Sequence, residues 1–506
     1  MSPNDQSHAQ YDRALKRGAF FNLLGLLAKL VQPLFVVVVT WLWGPAVVGP
    51  YLLALAFMEI LSGTIVAGYA DAVTIYASRH IDAAPTDPEH RRALYGVLSN
   101  ALLCTVTLSL AAAVLAQFSA SFLVTRFFPD YQGLFPGLYL LLWALVPRSA
   151  SQVAIAATKA AMRMEFDAMI NGMAHPLVLL GVSALAYALG GGLGSLCLAH
   201  LITETIVCAL AVRALGGLFD LRALASAFTD FKVDRTLLRF AVPQSLNLTF
   251  NRYIARMDGI MLASFGLQAA MLGYFSTAAL LTSNLNQIRL VFSGALAPVA
   301  ARHYGSGDTR AVEVAMNQVA RWATSLVVPA VLVCVVLRDD VMRLISHSYG
   351  DHSTFIVLLL IPPFTSCAYG IAGSCLFYAG HSRVTLINSS LVALLNTGFN
   401  FVMIPRYGML GAAIATALAT SLTTALQMIE LWWIEGVCIR WSAVWKPHVG
   451  FALGAAVLAL LWDPAHHSAW VRAATVAGLL VGYVALMLAL GHEELTALLQ
   501  RRSRSA

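Results

Sequence analysis

Residues 43–56, WGPAVVGPYLLALA, return about 220 positions later as residues 265–279, FGLQAAMLGYFSTAA. The match is positional: Arg17, Gly44 and Tyr51 recur as Arg239, Gly266 and Tyr274 at offsets of 222, 222 and 223. Pro147 recurs as Pro363, the Ile170-Asn171 pair as Ile387-Asn388, and GGLG ending at Gly194 as GMLG ending at Gly411, at offsets of 216 to 217. Anchors in the same order at nearly constant spacing mark an internal duplication. A duplicated membrane chain with no soluble domain reads as a transporter whose two lobes move against each other.

That the chain belongs in a membrane follows from composition. Of 506 residues, 59% are hydrophobic and 11% charged, with a mean hydropathy of +0.74. A water-soluble core of this size could not bury so much apolar material. Since about 20 apolar residues cross the hydrocarbon layer, the pattern predicts an all-α polytopic protein of about 14 transmembrane helices. The expected order is a cytoplasmic segment (1–17), an N-lobe of six helices (18–213), a connector (214–235), a C-lobe of six helices (236–435), two further helices (436–492) and a basic tail (493–506). An even number of spans per copy makes both copies enter from the same face, so the lobes are expected to be parallel repeats. In the connector, Leu218, Leu221, Leu224, Phe228 and Phe231 fall at helical spacing among charges, which suggests a surface helix; an irregular linker is the alternative.

Charge sets the expected orientation. Of 32 lysines and arginines, 22 fall in the termini and in the loops after even-numbered spans, whereas the opposite loops hold Arg126, Arg338, Arg343, Arg406 and Arg472. Both termini are therefore expected in the cytoplasm. The net charge of +7 belongs to this asymmetry and to anionic headgroups, and nucleic acid is not an expected partner. The seven cysteines lie in or beside apolar runs without CxxC spacing and read as small core residues.

Five basic residues lie inside spans: Lys29, Arg148, Arg252, Arg256 and Arg289. A charge at the bilayer centre costs about 2.5–3.5 kcal/mol on insertion scales, so each needs a partner or water. The seventh span is the least hydrophobic and carries Gln244, Asn247, Asn251, Arg252, Arg256 and Asp258; it is expected to border an aqueous cavity, with an Asp258–arginine pair as structural glue the bland alternative. Span 1 offers Asn22, Lys29 and Gln32 on one face, Lys29 either lining the cavity or paired with Glu59. Span 8 adds Asn284, Asn286, Gln287 and Arg289; span 4 adds Arg148 directly after the helix-bending Pro147. The acidic residues in spans are Glu59, Asp71, Glu204 and Asp258. If some of them neutralise arginines, a weakly cationic vestibule is left, suited to phosphate or pyrophosphate. His175 and His200 read as isolated packing residues, and RDD at 338–340 lies in a short outer loop.

No GxxxxGK[ST], HExxH or GxSxG motif occurs, so neither an internal ATPase nor hydrolase chemistry is indicated, and no metal or cofactor is expected. Outer loops of at most about 20 residues leave no room for the large extramembrane domain that glycan-building enzymes usually need.

Several stretches together resemble the polysaccharide-transport branch of the multidrug/oligosaccharidyl-lipid/polysaccharide (MOP) exporter superfamily. They are WLWGPAVVGPYLLALA (41–56), FAVPQSLNLTFNRYIARMDGIML (240–262), LGYFSTA (272–278), ALAPVAARHYGSGD (295–308) and YGMLGAAIATALAT (407–420). The resemblance implies a bacterial inner-membrane flippase for polyprenyl-pyrophosphate-linked oligosaccharide serving O-antigen or exopolysaccharide assembly. Polymerase and chain-length machinery of the same pathway, and membrane lipids, would be its other partners. By similarity, spans 13 and 14 would form the groove for the lipid tail. The drug-antiporter branch uses an acidic residue in its first span where this chain has Lys29, which sets cation antiport apart. Expected substrate contacts are Asn22, Lys29, Arg148, Asn247, Asn251, Arg252, Arg256, Asp258, Gln287 and Arg289, with no catalytic residue. A drug or small-molecule exporter of the same fold and a membrane-embedded glycosyltransferase or ligase are the competing readings.

Overall fold

The structure, a computed structural model, describes residues 31–131, 134–229, 234–305, 308–345, 354–461 and 469–491. Among these the chain is helical with no strand, and the expected all-α polytopic architecture is what forms. Nine helices among the described residues are long and apolar enough to cross a membrane; Thr354–Tyr369 with Ile371–Tyr378, bent by 47°, makes a tenth. The expected fourteen is an approximate count. One long helix, Ser382–Glu435, is counted once although Gly408 (φ 55°, ψ −129°) breaks it in two, and the polar Arg235–Ser264 falls outside the apolar set.

The chain divides into two compact units, Met1–Ser276 and Thr277–Ala506. The first begins, as described, with α1 (Val31–Trp43) and α2 (Pro45–Ser62). A π-helical turn, Gly63–Ala67, joins α2 to α3 (Gly68–Ile81) without a break. Then come α4 (Pro88–Phe127), α5 (Leu134–Ala160), a second π-helical segment (Ala168–Ala174) running into α6 (His175–Ala188), α7 (Leu193–Gly216), α8 (Leu221–Thr229) and α9 (Arg235–Ser264). Helix α10 (Ala269–Ser283) carries the chain into the second unit.

The duplicated motif now has a backbone explanation. Gly44 and Gly266 adopt φ of 77° and 80°, a region that disfavours any residue with a Cβ, and each precedes a helix. The helices beyond these turns approach closely: a Cβ on Gly49 would stand 2.1 Å from the Ala269 carbonyl oxygen, and one on Gly273 2.2 Å from that of Pro45.

In the first unit α5 packs along both α4 and α7, while α9 packs on α2, the π turn and α3. The core between them is mainly aliphatic, with Val73, Leu98, Ile155, Val207, Leu215 and Leu237 buried beside Tyr69, Tyr95 and Phe219. Helix α8 lies in the stretch read as a connector. Leu224 enters the core, and Asp220 caps the helix by accepting from the Arg222 and Ala223 amides at 2.9 and 3.3 Å. The Asp220 carboxylate also pairs with Arg91 of α4 at 3.2 Å.

The second unit contains α11 (Asn286–Gly305), α12 (Thr309–Val336), α13 (Arg338–Ile345), α14 (Thr354–Leu359), α15 (Ile361–Tyr369), α16 (Ile371–Tyr378), α17 (Ser382–Glu435), α18 (Trp441–Leu461) and α19 (Ala469–Ala489). Val328, Leu332 and Val336 of α12 pack against Leu458 of α18 and Tyr483 and Met487 of α19, so the two final helices share one core with α12. The RDD stretch opens α13, where Asp340 pairs with Arg472 of α19 at 2.7 Å.

Candidate functional site

In the first unit, ionisable residues from five helices gather in one cluster. Glu59 comes from α2, Arg148 from α5, His175 from the start of α6, His200 and Glu204 from α7, and Arg252 and Arg256 from α9. Arg256 grips Glu59 with both arms of its fork: Nε donates to Oε2 at 2.6 Å and a terminal nitrogen to Oε1 at 3.0 Å. Such paired donors on a carboxylate are stronger than a single contact and fix its plane. Four residues earlier on α9, Arg252 donates to the backbone carbonyl of Glu59 at 3.1 Å. The way is cleared by Gly63, where a Cβ would sit 2.8 Å from the Arg252 side chain.

The second ion pair crosses from α5 to α7. Arg148 donates to Glu204 Oε1 at 2.5 Å, and Glu204 is nearly sealed at 2% exposure. The same oxygen faces His175 Nε2 at 3.2 Å and His200 Nε2 at 3.6 Å. On its other ring nitrogen, Nδ1, His200 meets the Tyr51 hydroxyl at 2.9 Å. Tyr51 lies within electrostatic reach of Glu59, Glu204 and Arg256, and Arg148 interacts with Glu59 and Arg252, so the two pairs form one network. Among the described residues in these contacts, three arginines face two carboxylates, Glu59 and Glu204.

Both π-helical segments of the unit adjoin this network: one starts four residues after Glu59 and the other ends immediately before His175. A π turn widens the helix locally and shifts the register of the residues beyond it, and such turns are frequent at functional positions.

Three of the expected site residues therefore come together: Arg148, Arg252 and Arg256. Asn251 donates to the Asn247 carbonyl at 3.0 Å, one turn back on α9, and is exposed; Asp258 lies half-buried on the same helix. Asn22 and Lys29 fall outside the described residues; Glu59, the carboxylate weighed as a partner for Lys29, is held by Arg256. Gln287 and Arg289 belong to the second unit. There Arg289 donates to Ser374 Oγ at 3.4 Å, and its Nε and Gln287 Oε1 are buried without a hydrogen-bond partner among the described residues. One expectation is corrected: His175 and His200 are not isolated packing residues but flank Glu204. Within α7 the four-residue spacing of His200 and Glu204 was visible in the sequence, but His175 and Arg148 reach Glu204 across 29 and 56 residues, which only tertiary packing reveals.

Residues 90–352 match the family described as "Polysaccharide biosynthesis protein", a span of more than half the chain. A curated relative, the probable low-salt glycan biosynthesis flippase Agl15 of Haloferax volcanii, is 22% identical over 203 residues. That alignment spans 39% of this chain and 42% of the relative, less than half the length of either. Among solved structures, the lipid II flippase MurJ in an inward closed conformation superposes with a TM-score of 0.68 at 12% identity, covering 92% of this chain and 98% of that one. An inward-facing multidrug resistance MATE family transporter of the MOP superfamily gives 0.61 at 14% identity, covering 80% and 94%. Identities this low speak to fold, and the family match speaks to lineage: the chain belongs to the polysaccharide biosynthesis protein family, and its fold is that of the flippases and transporters of the MOP superfamily.

Proposed function

We propose that this protein moves a polyprenyl-pyrophosphate-linked oligosaccharide from the cytoplasmic to the outer leaflet by alternating access, in the assembly of a cell-surface glycan such as O-antigen or exopolysaccharide. The observation that carries the reading is the gathering of guanidinium groups in one cluster. Arg148 and Arg256 each hold a carboxylate and Arg252 a backbone carbonyl, so in the hydrogen bonds of this cluster three guanidinium groups meet two carboxylates. An arginine cluster in a membrane-spanning bundle suits an anion with several oxygens, because each guanidinium presents a planar fork of donors. In this role Arg252 is the best-placed contact, since the carboxylates are engaged by Arg148 and Arg256 while Arg252 holds a backbone carbonyl. Asn247 and Asn251, one turn apart on α9, supply hydrogen-bonding groups for sugar hydroxyls or bridging water. The family, together with the flippase named among the relatives, supports a glycan cargo; the polyprenyl tail would stay in lipid, against α18 and α19. An inside-negative potential favours outward movement of an anionic head by about 2.3 kcal/mol per charge per 100 mV, so neither ATP nor an internal enzyme is required.

Arg252→Ala and Arg256→Ala in cells that make a surface polysaccharide test the reading. The expected result is loss of polymer with accumulation of its lipid-linked repeat unit on the cytoplasmic side. Normal polymer with altered dye or drug efflux would instead identify a small-molecule exporter.

A further inference from the structure

The cluster around Glu204 has a geometry that the arginine pair does not explain. Among the described residues, one set of three ligand atoms from His, Cys, Asp or Glu converges tightly enough to hold a metal: His175, His200 and Glu204, all within 4.8 Å of one another. A tetrahedral zinc ion with bonds of about 2.1 Å spaces its ligand atoms about 3.4 Å apart. The His175 Nε2–Glu204 Oε1 and His200 Nε2–Glu204 Oε1 separations are 3.2 and 3.6 Å, on either side of that value.

Two further features point the same way. His200 is 3% exposed, and its Nε2 is buried without a hydrogen-bond partner among the described residues. If Nδ1–H donates to the Tyr51 hydroxyl at 2.9 Å, Nε2 keeps its lone pair and aims it at Glu204. A ring whose remote nitrogen is anchored while the near one is left free is how metal-binding histidines are oriented. His200 and Glu204 lie one turn apart on α7, and His175 comes directly after the π-helical segment, which sets its register toward them.

We propose that His175, His200 and Glu204 form a binding site for a divalent transition-metal ion, zinc by ligand type. Two imidazoles and one carboxylate suit zinc, whereas calcium and magnesium require more oxygen ligands. The three donors come from two helices and leave a fourth position open. Arg148 shares Glu204 Oε1 at 2.5 Å, so metal and guanidinium compete for that oxygen, and a bound ion displaces Arg148.

The test is zinc titration of the purified full-length protein in detergent after stripping with chelator. One zinc per chain is expected, with binding weakened on acidification because protonated imidazole is not a ligand. Glu204→Gln and His200→Ala should abolish this site, and Tyr51→Phe should weaken it by about tenfold through loss of the ring's anchor. Arg148→Gln should bind zinc more tightly than the wild type, a gain that a misfolded variant would not show. X-ray absorption on the loaded wild-type protein should report two imidazole rings at about 2.0 Å. No saturable zinc binding in either the wild type or Arg148→Gln overturns the proposal. So does binding that Glu204→Gln and His200→Ala leave intact, which would place the metal on other histidines. A flippase without zinc affinity remains a flippase, so the transport assay and this titration fail independently.

Discussion

The two copies of the duplicated sequence differ less in backbone than in chemistry. Gly44 and Gly266 both take positive φ, Tyr51 and Tyr274 are both buried, and Pro147 and Pro363 both lie in helices. Carrying Arg148, His175, His200 and Glu204 forward by 216 to 217 residues lands on Phe364, Val392, Ala417 and Ser421. At these four positions the first copy therefore carries an ionic cluster where the second carries apolar or small residues. The buried polar groups of the second unit are largely neutral: Asn396 donates to Thr416 at 3.0 Å, Asn400 donates to Asn396, and Asn388 donates to Glu430 at 2.5 Å. Duplication supplied the scaffold twice; the Arg148–His175–His200–Glu204 cluster was developed in the first copy alone, while Arg252 and Arg256 come from α9, the first helix of the second copy.

The largest expected effect breaks that difference at its centre. Glu204→Ala leaves Arg148 buried without its carboxylate and should destabilise the protein by about 3–5 kcal/mol, read as a drop in unfolding midpoint in detergent. Importing the second copy's residues at all four positions (Arg148→Phe, His175→Val, His200→Ala and Glu204→Ser) removes charge and counter-charge together. That quadruple variant should be more stable than Glu204→Ala alone, because well-packed apolar groups replace a buried ion pair at little net cost. If the quadruple variant is the less stable of the two, the network is needed for packing and not only for charge.

Residue by residue, legibility in the sequence follows this same division. Helical content, membrane residence and duplication were readable because hydropathy, turn glycines and repeat offsets are local or periodic. Arg148, Arg252 and Arg256 were conspicuous as charges inside apolar runs. Their partners were harder to read, since the Glu59–Arg256 pair spans 197 residues and depends on how α9 docks against α2. His175 and His200 looked like packing residues for the same reason: what surrounds a histidine on neighbouring helices has no local signature.

A double-mutant cycle on the other ion pair sharpens the comparison further. Arg256→Gln, Glu59→Gln and the double variant should show a coupling energy of about 1.5–3 kcal/mol, the range of a charge-assisted contact in a partly buried site. The same cycle on Arg91 and Asp220, both about half exposed, should give less than about 1 kcal/mol. Equal couplings would mean that the Glu59–Arg256 pair is as well hydrated as the surface one.

The shared backbone makes the opposite prediction, symmetry. Gly44→Ala and Gly266→Ala each force a Cβ onto a backbone of positive φ and should cost about 1–3 kcal/mol apiece. Nothing lies within 4 Å of a Cβ at Gly44; at Gly266 the nearest atom is Asp130 Oδ2 at 3.2 Å, on an exposed side chain free to give way. Near-equal losses in unfolding midpoint would locate the common property of the two copies in the turn itself, and a loss at one alone would break the correspondence.

The smallest effect is expected at Arg289, the basic residue of the second unit that sequence reasoning grouped with the arginines of the first. Its hydrogen bond to Ser374 is long at 3.4 Å, and its Nε is buried without a partner among the described residues. Such a group has already lost hydration without a carboxylate to compensate, so Arg289→Met, which keeps the aliphatic stem and removes the charge, should change stability by less than about 1 kcal/mol. Arg256→Met, which orphans Glu59, should cost several times more. If Arg289→Met nevertheless abolishes surface polysaccharide while leaving the unfolding midpoint in place, the arginine is kept for the cargo, because the folded protein alone gives it too little to hold.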